Sequence, residues 1–70
     1  MIAVGSLVKA VSEVDEKTSI VYQFGKVIYI GKRVLVEFER NVCGHNGNGI
    51  GKNRHCWMCD WNAIKEVVSG

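Results

Sequence analysis

The chain has 70 residues, of which 47% are apolar and 23% are charged, with a net charge of +2. A chain of this length supports one hydrophobic core, so we expect a single domain over residues 1–70. The apolar fraction excludes a disordered chain, and the net charge is below that of dedicated nucleic-acid-binding proteins. No stretch approaches the roughly 18 uninterrupted apolar residues of a membrane-spanning helix, so we expect no membrane partner.

Cysteine usage and the first residues bear on the cellular compartment. Residues 1–8 are apolar, but no basic leader and no small-residue cleavage site accompany them, so we expect no signal peptide. The three cysteines form an odd set, which argues against a disulfide framework and favours reduced thiols. We therefore expect a cytoplasmic protein.

The first half of the chain has a β pattern. Valine and isoleucine are frequent, proline is absent, and no window shows the apolar spacing of an amphipathic helix. Residues 6–11 are predicted as a first strand, residues 12–19 as a polar, acidic loop and residues 24–30 as a second strand. Gly31 and Lys32 then form a tight turn, because glycine supplies the positive φ that such hairpins need.

The third predicted strand, residues 33–39, has the clearest alternation. Val34, Val36 and Phe38 share one face, which we predict to be core. The residues between them, including Leu35, share the opposite, exposed face.

The second half of the chain starts with a long Gly- and Asn-rich segment, residues 40–54, whose composition predicts a loop. A fourth strand is predicted over residues 55–61, a single short helical turn over 62–65 and a closing strand over 66–68. Five short strands favour a small barrel over a flat sheet, because closure removes exposed edges. An OB-fold is the competing barrel, but it would need longer strands and a longer helix.

Three motifs carry a resemblance to a known group: VEF at residues 36–38, GHNGNG at 44–49 and HCW at 55–57. The chain resembles small bacterial and phage proteins whose pattern runs VEF, GHxGnG and HCWW. The resemblance implies an all-β, five-stranded SH3-like barrel with a long Gly-rich loop and one short 3-10 turn. It also implies an origin in a phage or mobile element. Met58 stands where the group usually has a second Trp, and Cys59 where it has an aliphatic residue.

Five cysteine and histidine side chains lie between residues 43 and 59, enough for a zinc site or an activated thiol. A tetrahedral zinc site would use Cys43, His45, Cys56 and Cys59. Positions three apart in a strand point to opposite faces, however, so Cys56 and Cys59 diverge. His55 and Cys56 also point apart, and no orienting carboxylate is evident for nucleophilic catalysis. We therefore expect no zinc, no other cofactor and no enzymatic activity, with the cysteines packed as small apolar residues.

The repeated glycines of residues 44–51 could let backbone N–H groups converge on a phosphate, with Lys52 and Arg54 as nearby cations. Phosphate-binding loops usually open a helix, whereas this loop runs into a strand. The simpler interpretation is that the glycines permit a tight loop, which hydrogen bonds from histidines close. The residues with this structural role are Gly44, His45, Gly47, Gly49 and His55.

The aromatic residues leave two alternatives open. Trp57 and Trp61 are four apart in the predicted strand and so share a face, either as a core layer or as an exposed stacking platform. Capture of a proline-rich peptide would need an aromatic groove beside an acidic loop, and the aromatic residues do not follow that pattern.

Together these features favour a non-enzymatic binding module that docks a host or phage macromolecule through the Gly-rich loop, residues 44–54. A protein is the preferred partner. The predicted partner-binding residues are Asn46, Asn48, Lys52, Arg54 and Trp57. The alternative is nucleic-acid or nucleotide binding through basic side chains. Its residues are Lys26, Lys32, Arg33, Lys52 and Arg54. A homo-oligomer through edge strands is a third class. Should the loop not be the site, the face around Tyr29 and Leu35 is the next candidate.

Overall fold

The computed structural model describes residues 2–11 and 22–67, which form one antiparallel five-stranded sheet. The strands are β1 (Leu7–Ala10), β2 (Phe24–Ile30), β3 (Val34–Phe38), β4 (Cys56–Cys59) and β5 (Ile64–Glu66). A 3-10 turn, Trp61–Ala63, leads into β5, and the described ranges hold no other helix. No helix in these ranges is long and apolar enough to cross a bilayer.

The strand order is β4-β3-β2-β1-β5, so the last strand returns to pair with the first. The prediction of a small all-β, five-stranded protein is confirmed. Strands β4 and β5 are the two edges of the sheet and are not paired with each other, so the sheet is not hydrogen-bonded into a closed barrel. The predicted acidic loop over residues 12–19 lies outside the described residues, as does residue 68 of the predicted closing strand.

One face of the sheet, the core face, carries the hydrophobic core. Val34, Val36 and Phe38 are fully buried there, which confirms the period-2 prediction for β3. Each contributes about 1.5 to 3 kcal/mol from burial of its side chain. The remaining members of this cluster come from each of the other four strands and from the segment after β3. They are Val8, Ala10, Val27, Val42, Cys59 and Ile64.

A β-bulge in β2 changes which side chains face outward. Val27 pairs with Val36, but the next aligned pair is Tyr29 with Leu35, so Ile28 is the extra residue. The bulge shifts the alternation by one position, because two residues of β2 then oppose a single residue of β3. Ile30 consequently packs against the core, while Tyr29 lies on the opposite, outer face of the sheet.

The predicted fourth strand is too long. β4 ends at Cys59, and Asp60 starts the 3-10 turn because its carbonyl oxygen accepts a hydrogen bond from the Ala63 N–H at 2.9 Å. The short helix is therefore real but begins before Asn62, and β5 also begins earlier than predicted. Trp57 and Trp61 do not share a strand face: Trp57 packs against the core, whereas Trp61 is exposed in the turn.

Candidate partner-binding groove

The Gly-rich segment after β3 folds back along the outer edge of β4. His45 and Cys56 form an isolated antiparallel bridge, with backbone N–O distances of 2.9 and 3.0 Å. The N–H groups of Val42 and Gly44 both donate to the carbonyl oxygen of Arg54 at 3.0 Å. These four bonds fix the base of the loop to the sheet, although few of its residues belong to a strand.

Glycines allow the loop backbone to approach the outer face of the sheet closely. A Cβ on Gly44 would overlap the carbonyl oxygen of Cys56, and one on Gly47 would lie 2.7 Å from a Leu35 methyl carbon. Gly51 lies over Cys56 and Ile28, where a Cβ would be 2.5 Å from the sulfur. Gly47 also has φ of +61°, a backbone conformation that is unfavourable for most residues other than glycine.

This loop buries the side chain of Leu35, which the alternation of β3 predicts to be exposed. Leu35 does lie on the outer face, opposite the core, but only 3% of it is exposed. The prediction that this face of β3 is exposed is therefore wrong at Leu35, because Gly47 covers it. β3 is buried from both sides, by the core on one and by the loop on the other.

Polar groups tie the loop to the sheet at several further points. The Glu37 carboxylate accepts a hydrogen bond from the Lys52 N–H at 3.1 Å, and the Cys56 thiol donates to the Lys52 carbonyl at 3.5 Å. His55 Nδ1 donates to the Phe38 carbonyl at 2.9 Å. His45 Nδ1 accepts from the Gly47 N–H at 2.9 Å, which places the proton of its neutral ring on Nε2.

Between the loop and the outer face lies an open groove of about 450 Å³. It is lined by Tyr29, Leu35, His45, Gly47, Asn48, Ile50 and Met58. Leu35 and Met58 are cross-strand partners and form its floor. Tyr29 of β2 and Ile50 of the loop are 50% and 58% exposed. Such exposure of large apolar side chains beside a concave floor is typical of a binding surface.

The structure separates the predicted partner-binding residues. Asn48 lines the groove and has φ of +62°, which Asn tolerates better than most residues. Asn46, Lys52 and Arg54 are exposed but do not line it. Trp57 is half-buried against the core, and its indole N–H donates to the Val42 carbonyl at 3.1 Å.

Trp57 contacts the groove indirectly through His45. The two rings meet edge to face with their centroids 5.9 Å apart. Trp57 therefore positions a groove residue without lining the groove itself.

The basic residues of the nucleic-acid alternative do not form one surface with the groove. Arg33 pairs with the Asp60 carboxylate at 3.1 Å, and both side chains are exposed. Lys26 lies in mid-β2 directly across from Glu37, whereas Lys32 occupies the turn between β2 and β3. None of the basic residues named for this alternative lines the groove.

The cysteines are free thiols in three different environments. Cys59 belongs to the core, Cys56 lies on the other face of β4 beneath the loop, and Cys43 is exposed. Burial raises the pKa of Cys59 to about 12 and also raises the pKa of Cys56, where the Glu37 carboxylate adds to the effect. Both buried thiols are therefore protonated at neutral pH, unlike an activated nucleophile. Within residues 2–11 and 22–67, no three His, Cys, Asp or Glu side chains form a group that could hold a metal.

Sequence reasoning did not identify Ile50 and Met58 as site residues, and it named Tyr29 and Leu35 only as a second choice. Ile50 had a usable signal, since it is a large apolar residue within a polar Gly- and Asn-rich segment. Tyr29 had none, because its outward position depends on the bulge in β2.

No protein-family model matches the chain, and no curated protein or solved structure shows significant similarity to it. The resemblance to small phage and bacterial proteins stays a prediction. Function is therefore inferred from the chemistry of the groove.

Proposed function

We propose that this protein is a non-enzymatic binding module that holds an apolar side chain of a protein partner in the groove. The observation that carries the proposal is the pair Tyr29 and Ile50, two half-exposed apolar side chains that line one groove together with Leu35 and Met58. Aromatic residues and Met are enriched at the centres of protein interfaces. A rigid sheet beneath a loop is also the usual platform for a binding site.

The shape of the groove favours a protein over a small molecule. A small ligand is normally enclosed over most of its surface, whereas this groove is open. A protein partner would cover the open side with its own surface and exclude water from the apolar walls. The Asn48 amide and the Nε2–H of His45 are the polar groups available to orient a partner's backbone.

We further propose that the fold is an SH3-like barrel and that the protein originates from a phage or mobile element. The return of β5 to β1 after a 3-10 turn supports an SH3-like barrel, and so does the set of VEF, GHNGNG and HCW motifs. That resemblance also supports a phage or mobile-element origin, and the three free thiols support a cytoplasmic location.

Peptide selection tests the groove directly. A displayed library of random linear peptides is selected against the protein, and the enriched peptides are titrated by calorimetry. Ile50→Asp should weaken their binding by roughly tenfold or more, because it introduces a charge into an apolar contact. Val4→Asp is the matched control, since Val4 is 64% exposed but does not line the groove, and it should leave affinity within about twofold.

Two results would contradict the groove as the site. One is a set of peptides that bind the Ile50→Asp and Val4→Asp proteins equally well. The other is loss of binding in the double variant Lys52→Ala with Arg54→Ala while Ile50→Asp still binds. Steep salt dependence in that second case would favour the nucleic-acid alternative, because phosphate contacts release counterions.

A further inference from the structure

A second surface lies on the same outer face, at the opposite end of β2 from the turn that borders the groove. Lys9 of β1 pairs with Phe24 of β2 on one side and with Lys65 of β5 on the other. Lys26, two residues after Phe24, shares this face. Tyr22 lies beside Lys9, whose ammonium is 5.9 Å from the centre of the Tyr22 ring. These five residues are called the aromatic-lysine surface.

Two local features of this surface oppose stability. Lys9 and Lys65 are direct cross-strand neighbours in an antiparallel pair, and like charges in that position repel. Tyr22 has φ of +70° and is 71% exposed, although a bulky side chain is disfavoured in this backbone conformation. Departures of this kind from local conformational and charge preferences concentrate at functional sites.

The charges of the surrounding residues show which ligand fits. In the described part of the chain, no carboxylate lies within ion-pair distance of Lys9, Lys26 or Lys65. On this face Glu37 belongs to β3 and Glu39 follows β3, so neither of these described acidic residues lies on β1 or β5. The Glu37 carboxylate is also directed to the loop, where it accepts from the Lys52 N–H. Among the described residues, no carboxylate therefore pairs with the positive charge on the β1 and β5 side of this surface.

We propose that the aromatic-lysine surface binds single-stranded nucleic acid. Lys9, Lys26 and Lys65 would contact phosphates, while the exposed rings of Tyr22 and Phe24 would stack on bases. Single-stranded nucleic acid carries repeated phosphates, which the lysines can bind, and flat bases, which the aromatic rings can stack on. The site is separate from the groove and does not depend on the proposed protein partner.

The test uses fluorescence anisotropy with a fluorescein-labelled oligothymidylate of about 12 nucleotides. Because the net charge of the chain is only +2, the titration starts at low salt. Three lysine–phosphate contacts give a slope of about −2 in log affinity against log salt, which is roughly a 20-fold loss between about 50 and 200 mM. An abasic oligomer of the same length should bind at least about fivefold more weakly, since it cannot stack.

Substitutions separate the two kinds of contact. Lys9→Gln with Lys65→Gln should weaken binding by roughly tenfold or more and make the salt slope shallower by about 1.4. Tyr22→Asn keeps a residue that tolerates positive φ but removes the ring, so affinity should fall about fivefold or more with the slope unchanged. Lys32→Gln is the charge-matched control, because Lys32 lies at the opposite end of β2, and affinity should stay within about twofold.

Thermal denaturation shows that the variants remain folded, and the double lysine variant should melt no lower than wild type because a repulsion is removed. Absence of saturable binding at low salt would overturn the proposal. Equal binding of the abasic oligomer would also overturn it, in favour of a general polyanion surface. An equal effect of Lys32→Gln and of the double lysine variant would exclude this location.

Discussion

Gly44→Ala tests how the loop is attached to the sheet. Gly44 does not have positive φ, so its need for glycine comes only from close approach. An added Cβ would overlap the Cys56 carbonyl oxygen, which is backbone and cannot rotate away. The chain must then separate from β4. That separation breaks both hydrogen bonds of the His45–Cys56 bridge and the bond from the Gly44 N–H to Arg54.

Three backbone hydrogen bonds at about 0.5 to 1.5 kcal/mol each give an expected loss of roughly 2 to 4 kcal/mol. For a domain of this size, such a loss lowers the thermal midpoint by about 10 °C or more. Modification by a thiol reagent, followed at Cys56 by peptide mapping because the exposed Cys43 also reacts, reports on the loop itself, since Cys56 is fully buried beneath Gly51 in the native protein. Its rate of modification in Gly44→Ala should rise well above that in wild type.

Gly49→Ala is the matched control for this substitution. Both changes restrict the unfolded chain equally. Gly49 has φ of +90° but nothing within 4 Å of an added Cβ, so its cost is about 1 to 2 kcal/mol of backbone strain. A Gly44→Ala protein that melts at or above the Gly49→Ala protein, with its Cys56 thiol still protected, would refute the close approach described above.

Three further outcomes are expected. Phe38→Ala removes the largest fully buried side chain and should cost about 3 to 5 kcal/mol, measured by urea denaturation; a midpoint close to wild type would contradict the position of Phe38 in the core. Metal analysis of protein purified without chelators should find no stoichiometric zinc, and one zinc per chain would show the cysteine prediction to be wrong. Burial raises the pKa of the Cys59 thiol from 9.0 to about 12, so the unfolded chain loses this proton at lower pH than the folded protein. The free energy of unfolding should therefore fall as pH rises from 9 to 12, and the full contribution of this thiol to stability is present below pH 9. Cys59→Ala should make that decline shallower. An unchanged slope of unfolding free energy against pH between 9 and 12 would contradict the raised pKa of Cys59.

Local pattern was sufficient for the number of strands, for the bounds of β2 and for the core face of β3, but not for the bounds of β4 and β5. Alternation of Val34, Val36 and Phe38 identifies one buried face of β3, because successive side chains of a strand point to opposite sides whatever the rest of the chain does. The same parity puts Cys56 and Cys59 on different faces of β4. Gly and Asn in residues 40–54 predicted a loop for an equally local reason, their tolerance of turn conformations.

Tertiary structure alone decided where that loop lies and what it creates. Composition does not show which face a loop covers, because Gly47 over Leu35 and Gly51 over Cys56 are contacts between separate segments of the chain. The bulge that turns Tyr29 outward arises from the register between β2 and β3, which is a property of the pair and not of either strand. The groove and the aromatic-lysine surface both depend on such pairings, since each brings together side chains from elements that the backbone must first align.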